Sequence, residues 1–284
     1  MGRVIRRGTL LGIAVCMAGA RWVPGLAAAW QGRVATPLLM LLHRLTARAA
    51  FPILEPLAVA GLCLGLRRRR WLDVLLVTLG MAALLWYPAY WARPAENYPA
   101  PDAAALERLC VSLTHALDAS PLRFNDPYDR AGTVAGLPDA AVKPARYPEW
   151  MRVLGISGLF SPWTGEAVVD GTADALLPFT CVHELQHLRG IADEGAANIA
   201  AYEACVEQGG MFADSARLWA LRYALPMLRD RDPDAARRVL SRMDAALARL
   251  LVPAEASRGN MIARVLGLEA RTTSYDQLVR WLCR

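Results

Sequence analysis

The chain has 284 residues and a mass of 31.0 kDa, with 55% hydrophobic residues and a mean hydropathy of +0.23, which excludes a disordered or fibrous protein and points to membrane segments. Its formal net charge of +6 divides into +10 over residues 1–94 and −4 over residues 95–284. The basic excess therefore lies in the apolar N-terminal part, where it sets topology, and the rest of the chain offers no basic surface for a nucleic acid.

In chain order, the uncharged run from Gly8 to Ala20 follows Arg3, Arg6 and Arg7 and reads as a signal anchor, with cleavage after Ala18-Gly19-Ala20 as its rival. Extended from Val4 to Leu26, it reaches the roughly 20 residues needed to cross a bilayer core. A second span is expected over Pro52–Leu66, lengthened by the amphipathic segment Ala35–Leu45, and a third over Trp71–Trp91. Arg67 to Arg70 between them should stay in the cytoplasm, so everything after Trp91 faces outward. Trp86, Tyr87, Tyr90 and Trp91 then form an aromatic belt at the outer interface, and Glu55 reads as an interfacial acid.

Residues 1–92 are thus a membrane anchor of about three helices, 93–101 a proline-rich linker, and 102–284 an extracytoplasmic domain. In that domain Asp102 caps a helix running to Leu117, and Pro121–Pro148 is rich in turns. Met151–Asp170 has the short apolar runs of strands, with Glu166–Asp170 placed at the sheet edge or as an ordinary strand. The remainder is helical, with Asp232-Pro233 starting one helix and Ser274 with Gln277 forming a capping box before the last. The expected fold is mainly α with a small β-sheet. Cys110, Cys181, Cys205 and Cys283 outside the membrane allow two disulfides or free thiols, and no CxxC pair suggests a cysteine zinc site.

Two of the four histidines stand in His183-Glu184-Leu185-Gln186-His187, an HExxH pattern that random placement would give in roughly 0.002 of such chains. Residues four apart share one helical face, so both imidazoles can converge on one zinc ion while Glu184 reaches a metal-bound water as general base. A catalytic zinc needs a third protein ligand. Gly190 would end the helix in a left-handed turn and Asp193 would cap the next, Glu194–Gln208. Glu194 is the expected third ligand, because Asn198 one turn later can hydrogen-bond a ligating histidine. Asp193 is its close rival, with Glu203 and Glu207 further off. Arg189, Tyr202 and Tyr275 are undistinguished candidates for an oxyanion contact, while His43 and His115 read as structural or surface histidines.

HELQHLRG, with Glu194, Asn198 and AAYEAC after it and Gly155–Ala167 and LPFT (177–180) before it, resembles an uncharacterised bacterial family of membrane-anchored, gluzincin-like metallopeptidase domains. The likeness extends to the N-terminal spans, although only Gly155–Cys205 is specific. It implies a zincin-like fold in the bacterial cytoplasmic membrane, its catalytic domain facing outward. The resemblance implies a zinc-dependent hydrolase, and taken with the motif the expected function is a zinc peptidase acting on an extracytoplasmic protein or peptide, with His183, His187 and Glu194 as metal ligands and Glu184 as base. Two departures stand out: the family usually has acids where Gly195 and Ala196 stand, and phenylalanine where Trp163 stands. The alternative function is a zinc-binding or partner-binding envelope protein without catalysis, for which a general base between the ligands has no use. A transporter with an incidental HExxH is disfavoured by a single marginal intramembrane acid.

Overall fold

The structure, a computed structural model, describes residues 2–23, 25–68, 71–92, 96–172, 174–251 and 273–284. It is mainly helical with one three-stranded sheet. The N-terminal helices are α1 (Gly2–Trp22), α2 (Leu26–Ala47, with a π-turn at Gln31–Ala35), α3 (Leu54–Arg68) and α4 (Trp71–Ala92). Then come α5 (Ala103–Asp118), α6 (Tyr128–Val134), β1 (Val142–Pro144), α7 (Glu149–Leu154), β2 (Gly158–Ser161), β3 (Glu166–Val169) and α8 (Leu177–Leu188). The chain continues through α9 (Glu194–Gln208), α10 (Gly210–Arg231), α11 (Pro233–Arg242), α12 (Ala245–Leu251) and α13 (Thr273–Leu282).

Among the described residues, α4 alone is long and apolar enough to cross a membrane; Leu54–Gly65 of α3 is shorter, and Leu10–Trp22 meets the criterion only together with Leu26–Ala47, across a 116° bend. Ala35–Leu45 does not lengthen the second span, because it belongs to α2, a separate helix with its own packing face. Gln31, Ala35, Leu39 and His43, each four residues on, are buried against the rest of the chain. Leu38, Leu41 and Leu45 are exposed on α2. In α4 the helix breaks at Trp86 because Pro88 cannot donate to the carbonyl of Leu84, and that freed carbonyl accepts the indole N–H of Trp30 at 2.8 Å.

The sheet order is β1-β3-β2, with β1 parallel to β3 (Val142↔Ala167) and β2 antiparallel to it (Phe160↔Ala167). The placement of Glu166–Asp170 at the sheet edge is therefore corrected: β3 is central and buried on both faces, and β1, only three residues long, left no pattern in the turn-rich stretch. The apolar runs of Met151–Asp170 are not all strands either, since Met151 to Leu154 belong to α7.

Helix α2 lies against this sheet. His43 Nδ1–H donates to the carbonyl of Gly165 at 2.8 Å and Nε2 accepts from Ala141 N–H at 3.0 Å, which fixes the ring as one neutral tautomer. Gly165 has φ +68° and a Cβ there would sit 2.6 Å from the Leu39 carbonyl, so both its conformation and its contact require glycine. Lys143, the one lysine in the chain, is buried in β1 and pairs with Glu166 at 3.0 Å while donating to the carbonyls of Thr46 and Phe51. Glu166 also accepts from Ile53 N–H and Leu54 N–H at 2.8 and 2.9 Å, capping α3. Glu55 is likewise not a free interfacial acid: it accepts from the backbone of Arg146 and Tyr147 and from the Trp150 indole, tying α3 to the start of α7.

A second core joins α5, α10, α11 and α13 through Leu106, Leu221, Val239 and Leu278. Asp102 caps α5 through Ala105 N–H at 2.7 Å, and Asp232, followed by Pro233, caps α11 through Ala235 N–H at 2.9 Å. The Ser274 side chain of the expected capping box lies outside the described residues. All six cysteines are free, and burial raises the Cys110 thiol to about 12.

Candidate metal centre

The motif occupies the last two turns of α8, a helix buried along its whole length. Its 3.6-residue period stacks His183 and His187 on one face, with ring centroids 4.8 Å apart and planes at 89°. The chain then reverses at Gly190, whose φ of +86° is the left-handed turn that a helix-ending glycine supplies. A Cβ on Gly190 would lie 2.7 Å from Gln31 Nε2 and Thr36 Oγ1, so α2 closes on this turn from below as it does on Gly165. Asp193 caps α9 by accepting from Ala196 N–H at 2.8 Å. That cap leaves Glu194, the first residue of α9, facing α8.

Glu194 Oε2 is 3.1 Å from His183 Nε2 and Oε1 is 3.5 Å from His187 Nε2. The three residues are the group of potential metal ligands among the described residues, their ligand atoms all within 4.8 Å of one another. Tetrahedral zinc with bonds of about 2.0–2.1 Å separates its ligand atoms by about 3.3 Å, which the two histidine–glutamate spacings of 3.1 and 3.5 Å match. His187 Nδ1–H donates to the Ile191 carbonyl at 2.7 Å, which aims Nε2 at Glu194. Both histidines are buried, whereas the Glu194 side chain is 48% exposed, so the cluster opens on that side. Burial disfavours the His187 imidazolium, but the bond to Glu194 and the charges of Glu184 and Glu194 outweigh it and raise the group to about 9. Burial also works against ionised Glu194, yet the two histidines hold its carboxyl well below the usual range.

Glu184 lies against β2, within electrostatic reach of His183, His187 and Glu194. A Cβ on Gly158 would fall 2.3 Å from Glu184 Oε1, so the glycine makes the space in which the carboxylate sits. Burial raises the Glu184 carboxyl, against the pull of His183 and His187, and it makes no hydrogen bond or ion pair among the described residues. On the same side a pocket of about 210 Å³ is lined by Ser157, Asp170, Thr180, Trp219 and Arg222. Thr180 precedes Glu184 by one helical turn.

Asn198, expected to support a ligating histidine, makes no such bond: among the described residues its fully buried amide atoms and the buried His183 Nδ1 are all without a hydrogen-bond partner. Orphaned polar atoms of this kind are rare unless a site is to be completed. Of the rival ligands, Asp193 is engaged as a cap, and Glu203 and Glu207 are exposed further along α9. Arg189 donates to the Ala135 carbonyl and Gln186 Oε1, and Tyr202 packs on Trp281, so neither is brought to the cluster; the Tyr275 side chain lies outside the described residues. His115 is exposed on α5.

Sequence reasoning missed Gly158, although it stands in the segment Gly155–Ala167, and it missed Trp86. The Trp86 ring packs on His187 at 5.5 Å and on Phe160 at 5.3 Å, so this residue supports the cluster and is not simply part of an interfacial belt. The two departures from the family pattern have structural partners. Gln277 of α13 occupies the space where a side chain at Gly195 would go, and the Trp163 indole donates to the Thr78 carbonyl of α4 at 3.2 Å, which phenylalanine could not do.

Residues 126–265 match a family described as "Protein of unknown function (DUF3810)", so the half of the chain that carries the sheet and the cluster is similar to an uncharacterised domain family. The match does not extend over α1–α4. No curated protein and no solved structure matches the chain.

Proposed function

We propose that the protein is a membrane-anchored zinc metallopeptidase of zincin-like fold, in which His183, His187 and Glu194 hold the metal and Glu184 is the general base. The observation that carries this is the convergence of two imidazole nitrogens and a carboxylate within 4.8 Å of one another, with a carboxylate between the histidines on the same helix that has no hydrogen-bond partner among the described residues. When bound, zinc would polarise a substrate carbonyl and lower the pKa of water toward about 7. Glu184, raised by burial and without a hydrogen-bond partner among the described residues, accepts the proton of the attacking water and returns it to the leaving amine. Asn198 is the acceptor for His183 Nδ1–H once the ligand's ring is fixed by the metal. An extended substrate backbone lies along β2, the strand beside Glu184 that has β3 on one side only.

Support for the membrane reading comes from the helix arrangement. α1 and α4 run parallel, with Ile13 beside Gly80 and Arg21 stacked on Trp91 at 5.3 Å. Their arginine-rich starts therefore share one end and their aromatic ends the other, as the charge rule for a cytoplasmic N-terminus demands.

The test uses the full chain in detergent, because removing residues before Glu96 would strip α2 from the sheet. One zinc per chain is expected by elemental analysis, lost in His183→Ala and kept in Glu184→Gln. Turnover of an unfolded protein substrate should disappear in both. Unchanged zinc in His183→Ala overturns the site, and unchanged turnover in Glu184→Gln overturns the mechanism.

A further inference from the structure

The part of the chain that carries the metal cluster packs on α4 at two levels. Its 22 residues span about 33 Å, slightly more than the roughly 30 Å hydrocarbon core. Trp86, which packs on His187, stands six residues before Ala92, or about 9 Å down the helix. Thr78, whose carbonyl takes the Trp163 indole N–H, stands fourteen residues before Ala92, or about 21 Å down.

An independent marker comes from α3. Its 15 residues cover only about 22 Å, about 8 Å short of the core thickness. A helix starting inside hydrocarbon would leave its first N–H groups without acceptors, at a cost of several kcal/mol. Here Glu166 accepts from Ile53 and Leu54, and its own charge is paired with the buried Lys143. The sheet thus supplies the polar cap at the depth where α3 begins. Around it, Leu57, Val59, Leu62, Leu75 and Val77 are half or more exposed, a surface suited to acyl chains.

We infer that the metal cluster is recessed below the membrane surface, level with the last two turns of α4, and that its substrate is the stretch of a membrane-tethered polypeptide that leaves the bilayer. The substrate part of this inference rests on the metallopeptidase reading; the depth of the cluster rests only on α4 spanning the membrane. A freely dissolved chain would have to enter the interface to reach Glu184, whereas a tethered segment is delivered at that level and at high effective concentration.

Two measurements on the full chain in phosphatidylcholine–phosphatidylglycerol vesicles decide it. For depth, a nitroxide is placed on Ser157→Cys, an exposed position next to the Gly158–Glu184 contact, and on Arg237→Cys as an aqueous reference, with Cys16, Cys63 and Cys283 changed to serine. The ratio of collisions with oxygen to collisions with a water-soluble nickel chelate should be clearly higher at 157 than at 237; equal ratios overturn the recessed site. For substrate class, zinc-loaded protein is given a single-span protein with an unfolded outer segment, and the same segment free in solution. Cleavage sites should cluster within about three extended residues, roughly 10 Å, of the membrane boundary. The tethered form should be cut at least about tenfold faster. Sites spread along the segment, or equal rates, overturn the substrate assignment. Absence of cleavage in both forms overturns the peptidase reading instead, and the nitroxide ratios still decide the depth.

Discussion

Replacing Lys143 with methionine isolates the device that holds the N-terminal helices to the sheet. The ammonium is buried, 3.0 Å from a Glu166 carboxylate that is 1% exposed, and it donates to two carbonyls, of Thr46 at the end of α2 and of Phe51 in the turn before α3. Methionine keeps the apolar stem but leaves Glu166 as a buried anion with two backbone donors. Breaking one partner out of a buried pair costs about 3–5 kcal/mol. At about 2–4 °C per kcal/mol for a domain of comparable size, the melting midpoint should fall by about 6–20 °C. The double variant Lys143→Met/Glu166→Gln removes both charges, and the glutamine carbonyl still accepts from Ile53 or Leu54. It should regain more than half of the loss, since an isosteric neutral pair is often no less stable than the ion pair it replaces. The assay is thermal unfolding followed by circular dichroism in detergent, read as a double-mutant cycle. A drop smaller than about 3 °C in the single variant, equivalent to about 1 kcal/mol, or a double variant no more stable than the single, refutes this account of the pair.

Gly158→Ala should keep the metal and lose turnover by about 10²-fold, because the new Cβ must displace the Glu184 carboxylate by about an ångström; metal content and rate measured on one sample check this, and undiminished turnover refutes it. Asp174 caps the start of α8 through Leu176 and Leu177, and burial raises its carboxyl. An acid whose pKa is raised on folding binds its proton more tightly in the folded state, so its contribution to stability falls as pH rises from the unfolded value through the folded one. The stability of Asp174→Asn relative to the parent should therefore increase over that acidic window and level off above it, as denaturant titrations at a series of pH values will show. With all thiols free and Cys110, Cys181 and Cys205 buried, the intact mass should be the same with and without reductant, and those three should alkylate only on unfolding.

The elements whose signals are local were legible in the sequence. Asp102 and Asp232 cap helices, Gly190 reverses the chain, and Asp193 precedes Glu194 because each acts through the backbone within a few residues. The placement of His183, Glu184 and His187 on one helix follows from spacing alone, and that of Glu194 from the length of the turn. The sequence also separated a basic, apolar N-terminal part from an acidic remainder. What it could not determine depends on contacts between distant residues. The three-residue β1 exists only because it pairs with β3, which makes β3 central and moves the open edge to β2. The buried stripe of α2, the Lys143–Glu166 pair, the Glu55 cap and the Trp86 ring against His187 join positions roughly 20 to 120 residues apart, where periodicity carries no information. Composition located the apolar, basic part of the chain; only tertiary packing decided that the His183–His187–Glu194 cluster is built against it, because burying polar groups such as Lys143 and Glu166 requires partners from both halves.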